Sequence, residues 1–432
     1  MNIEELYTLY IKSKNVTTDT RKILSGSIFF ALKGDSFNGN EFALSALEKG
    51  AAFSVIDEAV YAIDDRFILV PDVLQTLQLL AAYHRDQLTI PVIGITGTNG
   101  KTTTKELLNS VLSEKYRTYC TQGNLNNHIG VPLTLLAIQP DVELAIVEMG
   151  ANHKREIAGL CAIAKPTFGL ITNIGKAHLE GFGGFEGVKV AKAELYDFIK
   201  ETEGTIFVNG DNSILHEMYT SRGILKTVTY GEKADNLVSG SIVSNDPLLS
   251  VSWKSVGSSG KIATNLTGTY NLENILAAIA VGLHFGLSEE QVHHGISSYI
   301  PGNNRSQVIR TVSNTLICDY YNANPSSMHV AIDNLAAISA GHKTLILGDM
   351  FELGDESAEE HQHIIDHALK IKADRSIFIG KAFYASEHTV GGAFFADIQG
   401  AIAELKSKPI SGSTVLLKGS RGMKLELLLP FL

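Results

Sequence analysis

Apolar and polar positions alternate along this chain in two rhythms. Short apolar runs bounded by Gly, Asp or Pro predict buried strands at SIFFAL (27–32), AAFSVID (51–57), RFILVPD (66–72), PVIGIT (91–96), ELAIVEMG (143–150), FGLITNIG (168–175) and GTIFVNGD (204–211). Between them, apolar residues recur every three or four positions, at 40–49, at 73–88, after residue 100 and over FEGVKVAKAELYDFIKET (185–202), which predicts helices. Strand–helix alternation of this kind builds a mostly parallel sheet with helices on its faces. Over 226–268 the texture changes to LVSGSIV, LLSVSWK and KIATNLTG, the alternation of antiparallel strands, before a helix at 272–286. After residue 312 the first rhythm resumes with TLICDYYN, KTLILGDM, RSIFIGKA and STVLLKGS. The expectation is an α/β chain of three domains: a small N-terminal one (1–88), a central one with a mostly parallel sheet (89–312) and a third α/β unit (313–432).

Composition narrows the class. The chain has 432 residues, 44% hydrophobic and 19% charged, with 39 Gly and 10 Pro. At about 150 residues per domain that length suits three packed domains, and the composition excludes a disordered or collagenous chain. A net charge of −10 argues against nucleic acid or an anionic membrane as partner. Cys120, Cys161 and Cys318 stand far apart with no C-x-x-C pair, so neither a disulfide framework nor a zinc knuckle is expected. The opening MNIEELYTLYIKSKN lacks an apolar signal core, and no apolar run approaches the roughly 18 residues of a membrane span. A cytoplasmic protein with no membrane span is expected.

One segment carries chemistry on its own. GITGTNGKTTT (94–104) lies between a predicted strand and a predicted helix, the setting a phosphate-binding loop requires. Gly97 and Gly100 let backbone N–H groups turn toward a polyphosphate, with Thr98, Asn99 and Thr103 in the same turn. Lys101 is placed to reach the β- and γ-phosphates of ATP, and the Thr102 hydroxyl to ligate Mg²⁺. The strict motif asks for Gly at position 95, where Ile stands, so the loop is a variant; an ordinary glycine turn capping a helix is the plain alternative. Glu148 closes the run ELAIVE, where a strand-end carboxylate can meet Mg²⁺ beside the phosphates or merely face solvent. His178, in NIGKAHLEGFG (173–183), opens on the same sheet edge and is as readily structural as functional. Lys192 follows Lys189 on the helix 185–202, and by spacing alone the two read as a solvated pair.

A wider set of motifs carries a resemblance. DTRKILSGSIFFALKGDSFNGNEF (19–42), TGTNGKTTT (96–104), GNLNNHIGVPLT (123–134), AIVEMGAN (145–152), TNIGKAHLEGFG (172–183) and AKAEL (191–195) recur here in the family's order. YNANPSSM (321–328), LGDMFELG (347–354) and LLKGSRGM (416–423) follow, so that the chain from residue 19 to 423 resembles the Mur ligase family of cell-wall peptide synthetases. The resemblance implies an N-terminal domain for a UDP-sugar, a central P-loop ATPase and a C-terminal Rossmann-like domain that closes over both. It implies an ATP-driven amide bond between the terminal carboxylate of UDP-N-acetylmuramoyl-tripeptide and the amine of D-Ala-D-Ala, through an acyl phosphate, by a monomer.

Residue by residue, it implies Lys101, His178 and Lys192 as catalytic, and Thr102, Glu148, His178 and a carbamylated Lys192 as the magnesium ligands. Asn271 and Asn274 match positions that contact adenine, although Tyr270 stands where many relatives have His; Arg305 and Asp319 match positions around ATP, although Asn304 replaces the usual Gly. Asp19, Thr20, Arg21, Lys33 and Gly34 match the uridine-nucleotide segment, and Asn124, Asn126 and Asn127 the muramoyl-peptide side. Asn322, Asn324, Asp349 and Glu352 match third-domain positions facing the cleft. Plainer readings stand beside these: Asn324-Pro325-Ser326 makes a good helix start, Asp349 a strand end and 419–422 a simple turn. Folylpolyglutamate synthases share the ATPase core, but YNANP and LGDMFELG favour the cell-wall reading. An intact Lys101, Thr102, Glu148, His178 and Lys192 set argues against a silent nucleotide-binding module.

Overall fold

Each of the three main sheets grows from runs expected to be buried strands. The computed structural model describes residues 1–13, 15–176, 179–386 and 391–432, so His178 lies outside the described residues. Helix α1 (Ile3–Ser13) leads into β1 (Val16–Thr17), β2 (Ile28–Phe30), helix α2 (Ala43–Glu48), β3 (Phe53–Ile56), β4 (Phe67–Leu69) and helix α3 (Val73–Gln87). The four strands pair side by side in chain order, all parallel. Asp72 starts α3 by accepting from Gln75 N, as a capping Asp does.

The central sheet takes β5 (Val92–Thr96), helix α4 (Lys101–Leu112), β6 (Thr118–Cys120), helix α5 (Gly130–Leu136), β7 (Leu144–Glu148), helix α6 (Glu156–Ala164), β8 (Phe168–Ile171) and helix α7 (Phe185–Glu201). It continues with β9 (Thr205–Asn209), β10 (Thr227–Gly231), β11 (Val238–Asn245), β12 (Leu249–Ser255) and β13 (Ser258–Ala263), then helices α8 (Asn271–His284) and α9 (Glu289–Ser298). The order is β13-β12-β11-β10-β9-β8-β5-β7-β6. The antiparallel part expected over 226–268 starts only at β11, because β10 still pairs in parallel with β9. From β5 the chain moves to one side of the sheet and from β7 it returns to the other. The crevice at the end of β5 is therefore a topological switch point, where open α/β sheets bind ligands.

The third sheet has β14 (Gln307–Arg310), β15 (Thr315–Asp319), helix α10 (Pro325–Ala337), β16 (Lys343–Gly348), helix α11 (Ser357–Lys370), β17 (Arg375–Ile379), helix α12 (Lys381–Ala385), β18 (Ala393–Phe395) and β19 (Thr414–Lys418). Its order is β14-β15-β19-β16-β17-β18, parallel except for β14. Gln307–Arg310 joins this sheet from upstream of residue 313 because it pairs with β15 as an antiparallel edge.

The cores are shared unequally. Leu6, Tyr10, Leu77 and Leu80 of α1 and α3 pack in one cluster with Leu135, Leu160 and Tyr196 of the central domain. Tyr10 Oη donates to Leu136 O at 2.6 Å and Arg85 Nε to Ala164 O at 2.9 Å across the same boundary. The third domain keeps its apolar residues in two clusters of its own. Among the described residues, no helix is long and apolar enough to cross a membrane.

Candidate active site

The phosphate loop is shaped by two glycines that no other residue replaces without strain. All five residues of β5 are buried, and the chain turns sharply at Gly97 (φ +141°), where a Cβ would sit 2.0 Å from Thr172 Oγ1. Gly100 (φ +79°) caps α4 from the left-handed region, with Asn274 Oδ1 2.8 Å from where a Cβ would be. Between them, Thr98 N donates to Asn173 O (3.0 Å), Asn99 N to Asn173 Oδ1 (2.9 Å) and Thr172 Oγ1 to Asn99 O (2.6 Å). Thr103 is buried in the first turn of α4. Lys101 Nζ rests on the loop itself, donating to Gly97 O at 2.7 Å and Thr98 O at 3.0 Å. Burial pushes the Lys101 ammonium down to about 8; Glu148 opposes that shift and the Arg305 charge adds to it. Lys101 and Arg305 thus bring two cations to one cleft, an arrangement that suits an anion.

Beside it lies a pair of hard oxygen donors. Thr102 Oγ1 donates to Glu148 Oε2 at 3.0 Å, and Asn126 Nδ2 donates to Glu148 Oε1 at 2.8 Å. Glu148 is 2% exposed, and its backbone N–H donates to Thr121 Oγ1. Among the described residues no cage of three or more His, Cys, Asp or Glu forms. A magnesium ion carried by phosphates needs none, since it takes one or two protein oxygens and fills the rest with phosphate and water. The donors present therefore fit Mg²⁺.

Lys192 does not keep company with Lys189. Lys189 Nζ pairs with Glu186 at 3.1 Å at the surface, whereas Lys192 is 3% exposed and lies over the Phe182 ring at 5.4 Å. Burial, reinforced by the charge of Lys101 and opposed by Glu156 and Glu194, lowers the Lys192 ammonium to about 7. Lys101 and Lys192 line one cleft of about 840 Å³ together with Thr102, Glu148, Asn126 and Arg305.

The far wall is built by α8, the linker after α9 and the third domain. Asn271 Nδ2 donates to Thr267 O, Asn274 Nδ2 to Asn271 Oδ1, and Thr104 Oγ1 to Asn274 Oδ1. Tyr270 Oη bonds Ser306 Oγ at 2.8 Å, so the tyrosine standing in place of His is fastened to the linker. Asn304 takes φ +59°, a left-handed turn that Asn tolerates nearly as Gly does. Arg305 stacks on the Tyr321 ring at 3.9 Å, with its Nε buried and without a hydrogen-bond partner among the described residues. Asp319 pairs with buried Lys418 at 2.6 Å and accepts from Ser306 N. Asn124, Asn127, Asn322 and Asn324 also line the cleft.

The third domain touches the phosphate loop directly. Asn324 Nδ2 donates to Asn99 Oδ1 (2.9 Å), and Asn99 Nδ2 to Ser326 Oγ (3.0 Å). Asn324 also caps α10 reciprocally with Ser327, so the helix-start reading and the cleft position both hold. Farther out, Asn334 accepts from Asn245 Nδ2 and donates to Thr267 Oγ1, Ser339 N donates to Asp246 Oδ1, and Lys176 pairs with Glu360 at 3.4 Å.

Some expected residues stand apart. Asp349 is spent on scaffolding: its Oδ2 accepts from Ala382 N and its Oδ1 from Phe383 N, which caps α12. Neither Asp349 nor Glu352 lines the cleft, and Glu352 sits in the turn after β16 with φ +63°. Asp19 and Arg21 form an ion pair at 2.8 Å, Lys33 bridges Asp57 and Glu58 at 2.9 Å each, and Thr20 O accepts from Lys49. With Gly34, these lie in the first domain outside the cleft. Lys105, Lys418 and Tyr321 escaped sequence reasoning. Lys105 repeats the face of Lys101 four residues on, a signal the sequence carries, whereas the pairing of Lys418 with Asp319 across β15 and β19 comes from the strand register alone.

Known proteins resemble this chain over nearly its whole length. Residues 12–85 match the description "Mur ligase family, catalytic domain", 95–282 "Mur ligase middle domain" and 304–421 "Mur ligase, glutamate ligase domain". Over 422 residues the chain is 37% identical to the UDP-N-acetylmuramoyl-tripeptide–D-alanyl-D-alanine ligase of Bacillus subtilis (strain 168), covering 95% of this chain and 91% of that protein. Its fold is similar to that of MurF from Acinetobacter baumannii (TM-score 0.87, 31% identity, 97% of this chain and 93% of that one). It is also similar to the MurF ligase of Thermotoga maritima in complex with ADP (TM-score 0.86, 25% identity, 98% of this chain and 97% of that one).

Proposed function

This chain belongs to the Mur ligase family, and we infer that it is an ATP-dependent amide ligase joining D-Ala-D-Ala to UDP-N-acetylmuramoyl-tripeptide in peptidoglycan precursor synthesis. One observation carries the reading most directly. A phosphate loop, two cations and a buried Thr102–Glu148 oxygen pair meet in a single cleft roofed by a third domain.

A carboxylate is a poor electrophile at neutral pH, so it must first be activated. A tripeptide carboxylate oxygen attacks the γ-phosphorus, the bond to ADP breaks, and an acyl phosphate results. The D-Ala-D-Ala nitrogen then attacks the acyl carbon and loses a proton as the bond to phosphate breaks. Lys101 and Arg305 neutralise the transferring phosphoryl group, and the turn from Gly97 to Thr103 holds the phosphates. Thr102 and Glu148, with His178 and a carbamylated Lys192, would hold Mg²⁺, which supplies further charge neutralisation. The low ammonium pKa of Lys192 supports carbamylation, because only the neutral amine adds CO₂, releasing a proton. Asn271 and Asn274 take the adenine side and Asp319 the linker side of the nucleotide. Asn124, Asn126 and Asn127 take the muramoyl peptide; Asp19, Thr20, Arg21, Lys33 and Gly34 take the uridine nucleotide; and Asn322 and Asn324 face the peptide ends. The reading includes a cytoplasmic monomer with domain divisions near residues 88 and 312.

ADP release measured with each substrate omitted in turn tests the function. Release is expected only with UDP-N-acetylmuramoyl-tripeptide, D-Ala-D-Ala, ATP and Mg²⁺ together. Steady release without the dipeptide, or stimulation by a folate instead, overturns the reading.

A further inference from the structure

The segment joining the central and third domains is held by a carboxylate that the reaction above leaves unused. Glu106 lies on α4, just past the phosphate loop. Its Oε2 accepts from Tyr299 Oη at 2.6 Å, and its Oε1 accepts from Asn303 Nδ2 at 2.8 Å. Tyr299 ends α9, and Asn303 stands two residues before Arg305. On the other side, the buried Lys105 ammonium lies 3.9 Å from Glu106 Oε1 and 3.8 Å from Glu148 Oε2.

Past Asn303 the linker is strained at Ser306 and, among the described residues, incompletely bonded. Asn304 and Ser306 both have left-handed backbones, with φ of 59° and 52°. Among the described residues, Asn303 Oδ1 and Arg305 Nε are buried without hydrogen-bond partners. Such a conformation persists only where its surroundings over-determine it. Charge-assisted bonds to an ionised carboxylate are short and strong, which makes Glu106 the firm anchor on the upstream side. Downstream, Ser306 N donates to Asp319 Oδ1. Arg305 itself stacks on the Tyr321 ring at 3.9 Å and lines the same cleft as Lys101.

We propose that Glu106 is a positioning residue for phosphoryl transfer: by holding Tyr299 and Asn303 it sets the linker so that Arg305 shares the cleft with Lys101, and Lys105 ties that hold to Glu148. The proposal rests on the reading of Arg305 as part of the ATP site.

A double-mutant cycle in the full chain tests it, using Glu106→Gln, Arg305→Ala and the pair. Tyr299→Phe combined with Asn303→Ala removes the same bonds from the linker side. Kinetics give KM for ATP and for D-Ala-D-Ala, and calorimetry gives the affinity for a non-hydrolysable ATP analogue with Mg²⁺. Glu106→Gln is expected to weaken analogue binding and to lower kcat/KM for ATP by about 10- to 100-fold, the scale of a small misplacement of a catalytic group. KM for D-Ala-D-Ala should stay unchanged, and the linker-side variant should reproduce the loss. In the Arg305→Ala background, Glu106→Gln should add less than about twofold. Full additivity, or unchanged analogue binding in Glu106→Gln, overturns the proposal while leaving Arg305 in the ATP site. An Arg305→Ala protein that binds and turns over like the parent removes the Arg305 assignment, and the proposal with it.

Discussion

Replacing Gly97 with Ala asks the most of the phosphate loop with the fewest atoms. A φ of +141° is reserved almost wholly for glycine, and holding Ala there costs about 1–3 kcal/mol. The new methyl would lie 2.0 Å from Thr172 Oγ1 and 3.0 Å from Thr172 N, so the Thr172 side chain must leave. Its hydrogen bond to Asn99 O then goes, at roughly 0.5–1.5 kcal/mol. Together the loss is about 2–4 kcal/mol, felt in the one segment that must present N–H groups to phosphate. Melting should fall by about 5–15 °C, and ATP turnover by 10²-fold or more, in Gly97→Ala. Thr172→Ala separates the causes, because it clears the clash and leaves the backbone strain in place. The double variant should be more stable than the sum of the two losses predicts, measured by thermal denaturation and by calorimetric ADP binding. Strict additivity, or a Gly97→Ala protein that binds ADP like the parent, would refute the reasoning.

Lys192→Ala should lose most activity, and short carboxylic acids that fit the vacated space should restore part of it. A folded-state value near 7 leaves about nine in ten Lys192 amines neutral at pH 8, against fewer than about one in a hundred for an ordinary lysine. Carbamate formation, read as a ¹³C signal from labelled bicarbonate, should therefore rise as pH passes upward through about 7 and fade below it. The absence of any such signal at pH 8 sinks the assignment. Asp349→Ala removes the cap of α12 and should cost about 1–3 kcal/mol in denaturation while leaving KM for every substrate within about twofold. A large selective change in one KM would return Asp349 to the cleft.

Strands buried on both faces announce themselves as unbroken apolar runs, which is why β2, β3, β5, β7 to β9, β16 and β17 were legible as elements, though the runs reach beyond the strand ends. Helix α1 was not, because only Leu6 and Tyr10 of its eleven residues are buried, too few for a period to register. The three-residue strand β6 was too short for any period to register. The phosphate loop was readable because its chemistry is local: two glycines, a lysine and a hydroxyl in consecutive turns. Lys192 was not readable from spacing, since burial and the field of Lys101 come from residues far away in sequence. Glu106 escaped for the same reason, its partners lying nearly two hundred residues downstream.

The unequal sharing of cores has a consequence for how the enzyme can be stopped. The first domain cannot part from the phosphate loop without opening a common apolar core, so those two travel as one body. Among the described residues the third domain is attached by amides, hydroxyls and a half-exposed ion pair, including Asn99–Asn324, Asn245–Asn334 and Lys176–Glu360. At roughly 0.5–1.5 kcal/mol net per bond, such a seam is worth a few kcal/mol. A ligand that favours one of two states by about 10⁴-fold, or 5.5 kcal/mol, carries a population from one extreme to the other. The balance between shut and parted forms therefore lies within the reach of ordinary binding energies. A small molecule that merely prefers the parted seam, resembling neither nucleotide nor peptide, would silence the enzyme without competing for its phosphate loop.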